Sequence, residues 1–395
     1  MSVSSTVDLL DSALYVDGNP YEIWRAMREI GPVHHQVAAT GSEFWAVVGH
    51  EASHRVLTEW KTFTSTRGTT LREDDNSAPY PGAGKMPVLA DPPRHTELRR
   101  AVARLFTPRA VEKLAALAQQ VAGSLLSDLR RRGGGDFVTD VAAKFPLAVQ
   151  AELLGIPPED IALISDATSR ALDAAEDEAV GGHHDVMMYY LNALGTRRDG
   201  PGKDLLGALL SARAGGLPLT DEEIVLTCDN IVVAASQTAR HSASGSLLAL
   251  LERPAVWAAL RNGQISIDSA IEELLRWTAP VTHVMRTAVT DTELAGTQIH
   301  AGDALAVWTA SANRDRTVFK DPDDLVLDRH PNPHLTLGAG MHFCLGAALV
   351  RVMLRALLEN LISADTSLAL TNPAGWNSTW VVNGLNSLPV TVTPT

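Results

Sequence analysis

The chain has 395 residues, 45% of them hydrophobic, which is enough to bury a large core and to enclose a cofactor completely. Its 33 Lys and Arg against 46 Asp and Glu leave a net charge of −13, which argues against broad binding to nucleic acid or to an anionic membrane. Two distant cysteines, Cys228 and Cys344, make neither a disulfide framework nor a four-ligand zinc site, so at least one is expected to be free.

The segment from Met1 to Leu14 is polar and acidic, unlike a secretory signal, and no apolar run approaches the roughly 20 residues of a membrane helix. A cytoplasmic protein is expected. Apolar residues at three- and four-residue spacing then predict helices over Pro20–Ile30, Pro108–Leu129, Phe137–Leu154, Pro158–Leu172 and Asp204–Ala212. Short β-like runs occur at Phe44–Val48, Val284–Val289 and Leu305–Trp308, with more near the C-terminus. Thr62–Leu89 has no period and is rich in Thr, Gly and Pro, a loop long enough to be functional. Asp173–Asp185 reads as a polar connector, and its His183-His184 pair reads as solvated surface more readily than as a metal site. No linker or internal repeat divides the chain, so the expectation is one mainly α domain with small flanking sheets.

Three stretches carry chemistry. From Thr220, with Glu223 three residues on, a capping box opens a helix whose apolar run Ile224–Ala235 is interrupted by Ser236-Gln237-Thr238 and then Arg240, His241 and Ser242. Polar groups inside a long buried helix need partners; they either bond back to the helix or face a water-containing cavity. Next, Asp268–Trp277 is an apolar-faced helix in which Glu273 and Arg276 share a face and can pair, as a surface bridge or as a buried structural pair. Finally, Leu337–Gly346 is a glycine-rich loop that delivers Cys344 to the start of an amphipathic helix. Glycines let backbone approach a flat partner closely, and the amides of a helix start favour a thiolate. Such a thiolate is a strongly donating axial ligand for haem iron. A buried inert cysteine is the alternative.

Together these elements resemble the cytochrome P450 family, from about Tyr21 to Pro394. The family's Phe-Gly-x-Gly-x-x-x-Cys-x-Gly signature is met at Gly338, Gly340, Cys344 and Gly346, with Leu337 in its aromatic place. The resemblance makes Glu273, Arg276 and Arg329 a structural triad, and makes Cys344 the iron ligand of haem b. It assigns His95 and Arg99, in Asp91–Arg99, together with Arg286 and His342, to the haem propionates. The usual distal Ala-Gly-x-(Asp/Glu)-Thr reads Ala234-Ala235-Ser236-Gln237-Thr238: the threonine that orders water survives, while the proton-relaying acid is replaced by an amide that cannot exchange a proton. Water or His241 must then substitute, or the reaction demands less of the relay. The implied pocket falls on the Thr62–Leu89 loop, Val232–Ala235 (with Val233 and Ala234), Val281-Thr282-His283-Val284 and Trp380-Val381-Val382, suiting a mid-sized substrate with some polar atoms.

The resulting expectation is a monomeric monooxygenase that uses O2 to oxidise a small organic molecule in secondary metabolism. No Gly-x-Gly-x-x-Gly dinucleotide fingerprint is present. NAD(P)H would therefore act only through a ferredoxin-type partner and its reductase, the partner docking near Cys344 on basic residues such as Arg100, Arg104 or Arg109. Two alternatives remain at this stage: oxidative coupling of an aromatic or peptide-like substrate without oxygen insertion, and a catalytically silent haem-binding protein.

Overall fold

A computed structural model describes residues 7–16, 20–72, 76, 80–173, 176–200, 202–364 and 366–394. Helix Pro20–Ile30 forms where its periodicity marks it, opening on a proline whose missing N–H has no helical partner to lose, and it buries Trp24 and Met27. Two expected helices are divided. Pro108–Leu129 becomes Pro108–Glu112, capped by Thr107, and Ala115–Arg131. Phe137–Leu154 becomes a π-helical turn, Val138–Ala142, and a helix Phe145–Leu154, because Pro146 can continue no ladder from the preceding turn. Pro158–Leu172 begins as a 3-10 turn at Pro158–Asp160 and continues as Ile161–Asp173. Asp204 is the cap of Leu205–Leu210, its carboxylate accepting from the Gly207 N–H at 3.0 Å.

The expected connector at Asp173–Asp185 is corrected. Ala174 and Ala175 lie outside the described residues, but Glu176–Arg197 is helical and buries Val186 and Tyr190, one turn apart, on its inner face. Gly182 packs against helix Ile161–Asp173 on that inner face and His183 turns to Asp229, so small and polar residues among the apolar ones hide the period in the sequence. Of the loop Thr62–Leu89, residues 73–75 and 77–79 lie outside the description; Phe63–Thr64 is a short strand and Pro87–Leu89 a 3-10 turn. Residues 1–6 of the N-terminal segment also lie outside it.

The centre of the molecule is the helix Asp221–Leu251, 31 residues long and unbroken through its polar interruption. Its capping box is formed: the Thr220 hydroxyl accepts from the Glu223 N–H at 3.2 Å, and Glu223 accepts from the Thr220 N–H at 2.8 Å. Helices Phe145–Leu154, Ile161–Asp173, Glu176–Arg197 and Ile267–Thr278 all lie against it. To one side stands a five-stranded sheet in the order Val33–Val37, Glu43–Val47, Ala304–Trp308, His283–Ala288, Phe63–Thr64. Its second and third strands run parallel and its other pairs antiparallel. Thr366–Leu370, Pro389–Pro394 and Gly134–Asp136 form a second, three-stranded sheet. No described helix is long and apolar enough to cross a membrane.

Candidate active site

The cysteine loop takes its shape from two left-handed glycines, Gly338 (φ 70°) and Gly340 (φ 65°). A Cβ on Gly340 would stand 3.1 Å from the Cα of Thr58, so the loop's approach to the end of helix His50–Thr58 admits little but glycine. The Cys344 N–H closes the loop by donating to the Leu337 carbonyl at 2.8 Å, and helix Ala347–Ile362 starts immediately beyond Gly346. Burial pushes the Cys344 thiol above its ordinary value, opposed by the Gly346 backbone N–H and by the charges of Arg99 and Arg351. Cys228 is a second free thiol, fully buried in the long helix and pushed well up by that burial.

Around the cysteine loop stand His95, Arg99, Arg286 and His342. The rings of His95 and His342 are 4.5 Å apart, and the Arg99 guanidinium donates to the carbonyl of Phe343, the residue before Cys344, at 2.5 Å. Arg286 is 3% exposed on strand His283–Ala288; its guanidinium donates to the Met285 carbonyl at 2.8 Å, and burial brings it down to about 10 against the charge of Asp91. Burial, then the charges of Arg286, His95 and Arg99, brings His342 down to about 3, so its ring is neutral at ordinary pH. His95 is lowered by burial first and by Arg99 second, and its Nε2 is buried without a hydrogen-bond partner. Neither Arg99 nor Arg286 makes an ion pair among the described residues.

Glu273, Arg276 and Arg329 make the opposite arrangement. Arg276 grips Glu273 through two bonds of 2.7 Å, and the Arg329 Nε donates to both carboxylate oxygens at 3.2 and 3.0 Å. The Val326 N–H and the Asn332 amide fill the remaining lone pairs, while Arg276 also donates to the carbonyls of Asn313, Pro322 and Asp324. Every charge there has its partner. Beside it, Glu272 holds Arg351 of the cysteine helix at 2.6 and 2.8 Å, which ties that helix to Ile267–Thr278.

In the long helix, Ser236 and Thr238 bond back to the carbonyls of Val232 and Ala234, each at 2.7 Å. Between Ile224 and Leu250, Ala234 alone is exposed, and Ala235 and Thr238 are half-buried. Gln237 turns the other way. Its amide donates to Thr168 and Ser169 of helix Ile161–Asp173 at 3.1 and 3.3 Å, and its carbonyl accepts from Arg240 at 3.0 Å.

Of the expected pocket positions, Val281, Val284, Trp380 and Val381 are half-buried, while Val233, Thr282 and His283 are buried. The reading of His283 as a pocket residue is corrected. Its Nε2 accepts from the Leu71 N–H at 3.0 Å, its Nδ1 donates to the Trp380 carbonyl at 3.2 Å, and its ring stacks on Trp308. Burial lowers it to about 4, so it is a neutral clamp between the 62–89 loop and the C-terminal loop. His183 is not simply solvated either: its Nδ1 is 2.8 Å from the Asp229 carboxylate. Arg100, Arg104 and Arg109 are exposed. Sequence reasoning missed Ser65, 3.3 Å from His342 Nε2, and Asp91, held by Thr64 and Ser65; these partners are far apart in the chain and no local pattern marks them.

Known proteins supply the family. The Cytochrome P450 family model matches residues 266–364, which include both the Glu273 helix and the cysteine loop. The chain is 33% identical over 396 residues to Cytochrome P450 NovI of Streptomyces niveus, covering 98% of this chain and 96% of that one. It is 33% identical over 361 residues to nocardicin C N-oxygenase of Nocardia uniformis subsp. tsuyamanensis, covering 89% and 90%. The crystal structure of P450 OxyD, which is involved in the biosynthesis of vancomycin-type antibiotics, superposes with a TM-score of 0.90 at 32% identity, covering 99% of this chain and 100% of that one. With a cysteine loop, a buried Glu-Arg-Arg triad and full-length relatives of one kind, the chain belongs to the cytochrome P450 family.

Proposed function

We propose that this P450 is a monooxygenase that oxidises a mid-sized, partly polar small molecule as a tailoring step in secondary metabolism. Haem b is held by Cys344, and electrons come from a ferredoxin-type partner and its NAD(P)H-dependent reductase. The observation that carries the reading is the pair of guanidiniums, Arg99 and Arg286, that have no ion-pair partner among the described residues and stand with His95 and His342 at the Cys344 loop. The buried Arg286 and the half-buried Arg99 call for an anion, and the two carboxylates of a haem that Cys344 would hold meet that requirement. The orphaned His95 Nε2 is a further donor for them. When bound, the haem supplies the reductive splitting of O2, assisted by electron donation from the thiolate.

The protein's own residues do the rest. The Gly346 N–H and the charges of Arg99 and Arg351 favour the thiolate against the burial that raises the Cys344 thiol, whose ionisation would be complete once it binds iron, while Gly338 and Gly340 let the loop approach a flat partner closely. The Thr238 hydroxyl donates its hydrogen bond to the Ala234 carbonyl, so its oxygen presents acceptor lone pairs that would hold water on the distal side. Gln237, bound at both ends of its amide, anchors the helix instead of relaying protons. Ala234, Val281, Val284, Trp380 and Val381 keep accessible surface for substrate. The exposed cations Arg100, Arg104 and Arg109, with Phe343 42% exposed nearby in sequence order before Cys344, suit an acidic ferredoxin-type partner. The names of the antibiotic-related relatives support the tailoring role.

The test is spectroscopic and then chemical. Reduced protein under carbon monoxide gives the red-shifted Soret band of a thiolate-bound haem, and Cys344→Ala loses it; identical spectra refute the ligation. Turnover under labelled O2 gives a product carrying one labelled oxygen, whereas an unlabelled, coupled product assigns oxidative coupling instead.

A further inference from the structure

A second opening meets the long helix on the C-terminal side of Thr238. It is a surface cavity of about 330 Å³ between helix Pro20–Ile30, the second half of Asp221–Leu251, the end of Ile267–Thr278 and the loop around Asn383–Gly384. Exposed charges stand at its mouth: Glu22, Arg25, Glu252 and Asp323. Arg314 forms a wall, its guanidinium fixed 4.1 Å from the Tyr21 ring and 3.9 Å from that of Trp277. With Tyr21 and His241, these are the seven titratable and charged groups that line the cavity among the described residues. Its inner end is His241, which is 1% exposed.

Thr238, His241, Gly245, Leu248 and Glu252 follow one another at three- and four-residue steps, so they lie along one face of the helix. That face runs from the surface to the distal threonine over about 21 Å, and His241 is one turn from its inner end. The ring's seat is made by glycine: a Cβ on Gly384 would lie 2.1 Å from His241 Nδ1. Gln237 is unable to relay, being a neutral amide bonded at both ends. Thr238 donates to the Ala234 carbonyl and therefore needs a donor brought to it.

We propose that this cavity is the path by which solvent protons reach the distal side and that His241 is its inner relay. Water in the cavity protonates the imidazole; the imidazole passes that proton to water held by the Thr238 oxygen and is reprotonated from the cavity. Imidazole suits this role because it can take up a proton at one ring nitrogen and release one from the other. The inference rests on the monooxygenase reading above and assigns a route that the family's usual acid at position 237 would otherwise provide.

The experiment uses the holoenzyme. In the diamagnetic ferrous carbon monoxide complex labelled with 15N-histidine, the His241 ring N–H, assigned with His241→Asn, exchanges with D2O through the cavity. Filling the cavity with Ala249→Phe slows that exchange roughly tenfold or more, and an unchanged rate overturns the route. During turnover, His241→Phe keeps the carbon monoxide spectrum and the substrate-induced spin shift but diverts electrons to hydrogen peroxide, with product per NADH falling roughly tenfold or more, below the 10²–10⁴ of a positioned proton donor because water substitutes in part. Wild-type peroxide yield in His241→Phe overturns the relay. A wild-type protein that has the thiolate spectrum yet forms no oxygenated product fails the monooxygenase reading instead, and the exchange measurement still decides whether the cavity reaches His241.

Discussion

Replacing Arg286 by Met separates a ligand-binding charge from a structural one, because the two roles predict opposite signs. Arg286 is almost wholly buried, and its guanidinium donates to a neighbouring carbonyl but to no carboxylate among the described residues. Without haem, that charge is a liability: a buried cation lacking a partner costs more than an apolar side chain of similar length, so Arg286→Met should stabilise the apoprotein by about 1–3 kcal/mol. At roughly 2 °C per kcal/mol for a chain of this size or somewhat smaller, the thermal midpoint rises by a few degrees. With haem present the sign reverses. Loss of a hydrogen bond to a charged group removes about 1.5–3 kcal/mol, a ten- to hundredfold weakening of haem retention. Scanning calorimetry of the apoprotein and transfer of haem to apomyoglobin read the two quantities separately. An apoprotein that loses stability while haem transfer is unchanged would refute the reasoning and make Arg286 a structural group like Arg276.

Removing Glu273 should do the reverse: Glu273→Ala strands Arg276 and Arg329 in the interior and costs about 3–5 kcal/mol, read by urea denaturation, with no selective effect on haem transfer. For Gln237→Glu, the new carboxylate meets Arg240 and forgoes the donation to Thr168, so product coupling should stay within about twofold of the parent; a severalfold rise would restore Gln237 to the proton relay. Burial lowers His183, but its bond to Asp229 and that residue's charge outweigh burial and leave it raised. Its contribution is therefore complete below the unfolded value and lost as pH rises through the folded one. With its side chain 39% exposed the effect is about 1 kcal/mol or less, and His183→Gln should flatten the decline in thermal midpoint above neutral pH.

Legibility in the sequence followed the range of the interactions involved. The cysteine loop was readable because its determinants are contiguous: two left-handed glycines, the thiol and a helix start lie within Gly338–Ala347. The capping box at Thr220 and Glu223 was readable for the same reason. Pairing of Glu273 with Arg276 could be drawn from helical spacing, but not its burial, which depends on carbonyls and side chains from 313–332. Helix Glu176–Arg197 was missed because small and polar residues outweigh Val186 and Tyr190 in any local window. The clamp at His283 could not be found at all, since its partners, Leu71 and Trp380, are brought together only by the fold.

Two groups of buried charge sit in this molecule, and their difference is what tells structure from function. Around Glu273, two guanidiniums, a carboxylate, backbone carbonyls and an N–H satisfy one another. Such a cluster needs nothing from outside and can be expected to form as the chain folds. Around Cys344, Arg99 and Arg286 gather near two histidines; Asp91 opposes Arg286 and the Cys344 sulfur opposes Arg99, and Asp91 is itself occupied by Thr64 and Ser65. Since desolvating like charges together is unfavourable, the surrounding strand and helices must hold that arrangement, and the proposed anionic partner would offset its cost. The same contrast underlies the proposal for the distal side: Gln237 and Arg240 are satisfied by helix Ile161–Asp173, which would take them out of the chemistry and leave Thr238 and His241 to receive what solvent supplies.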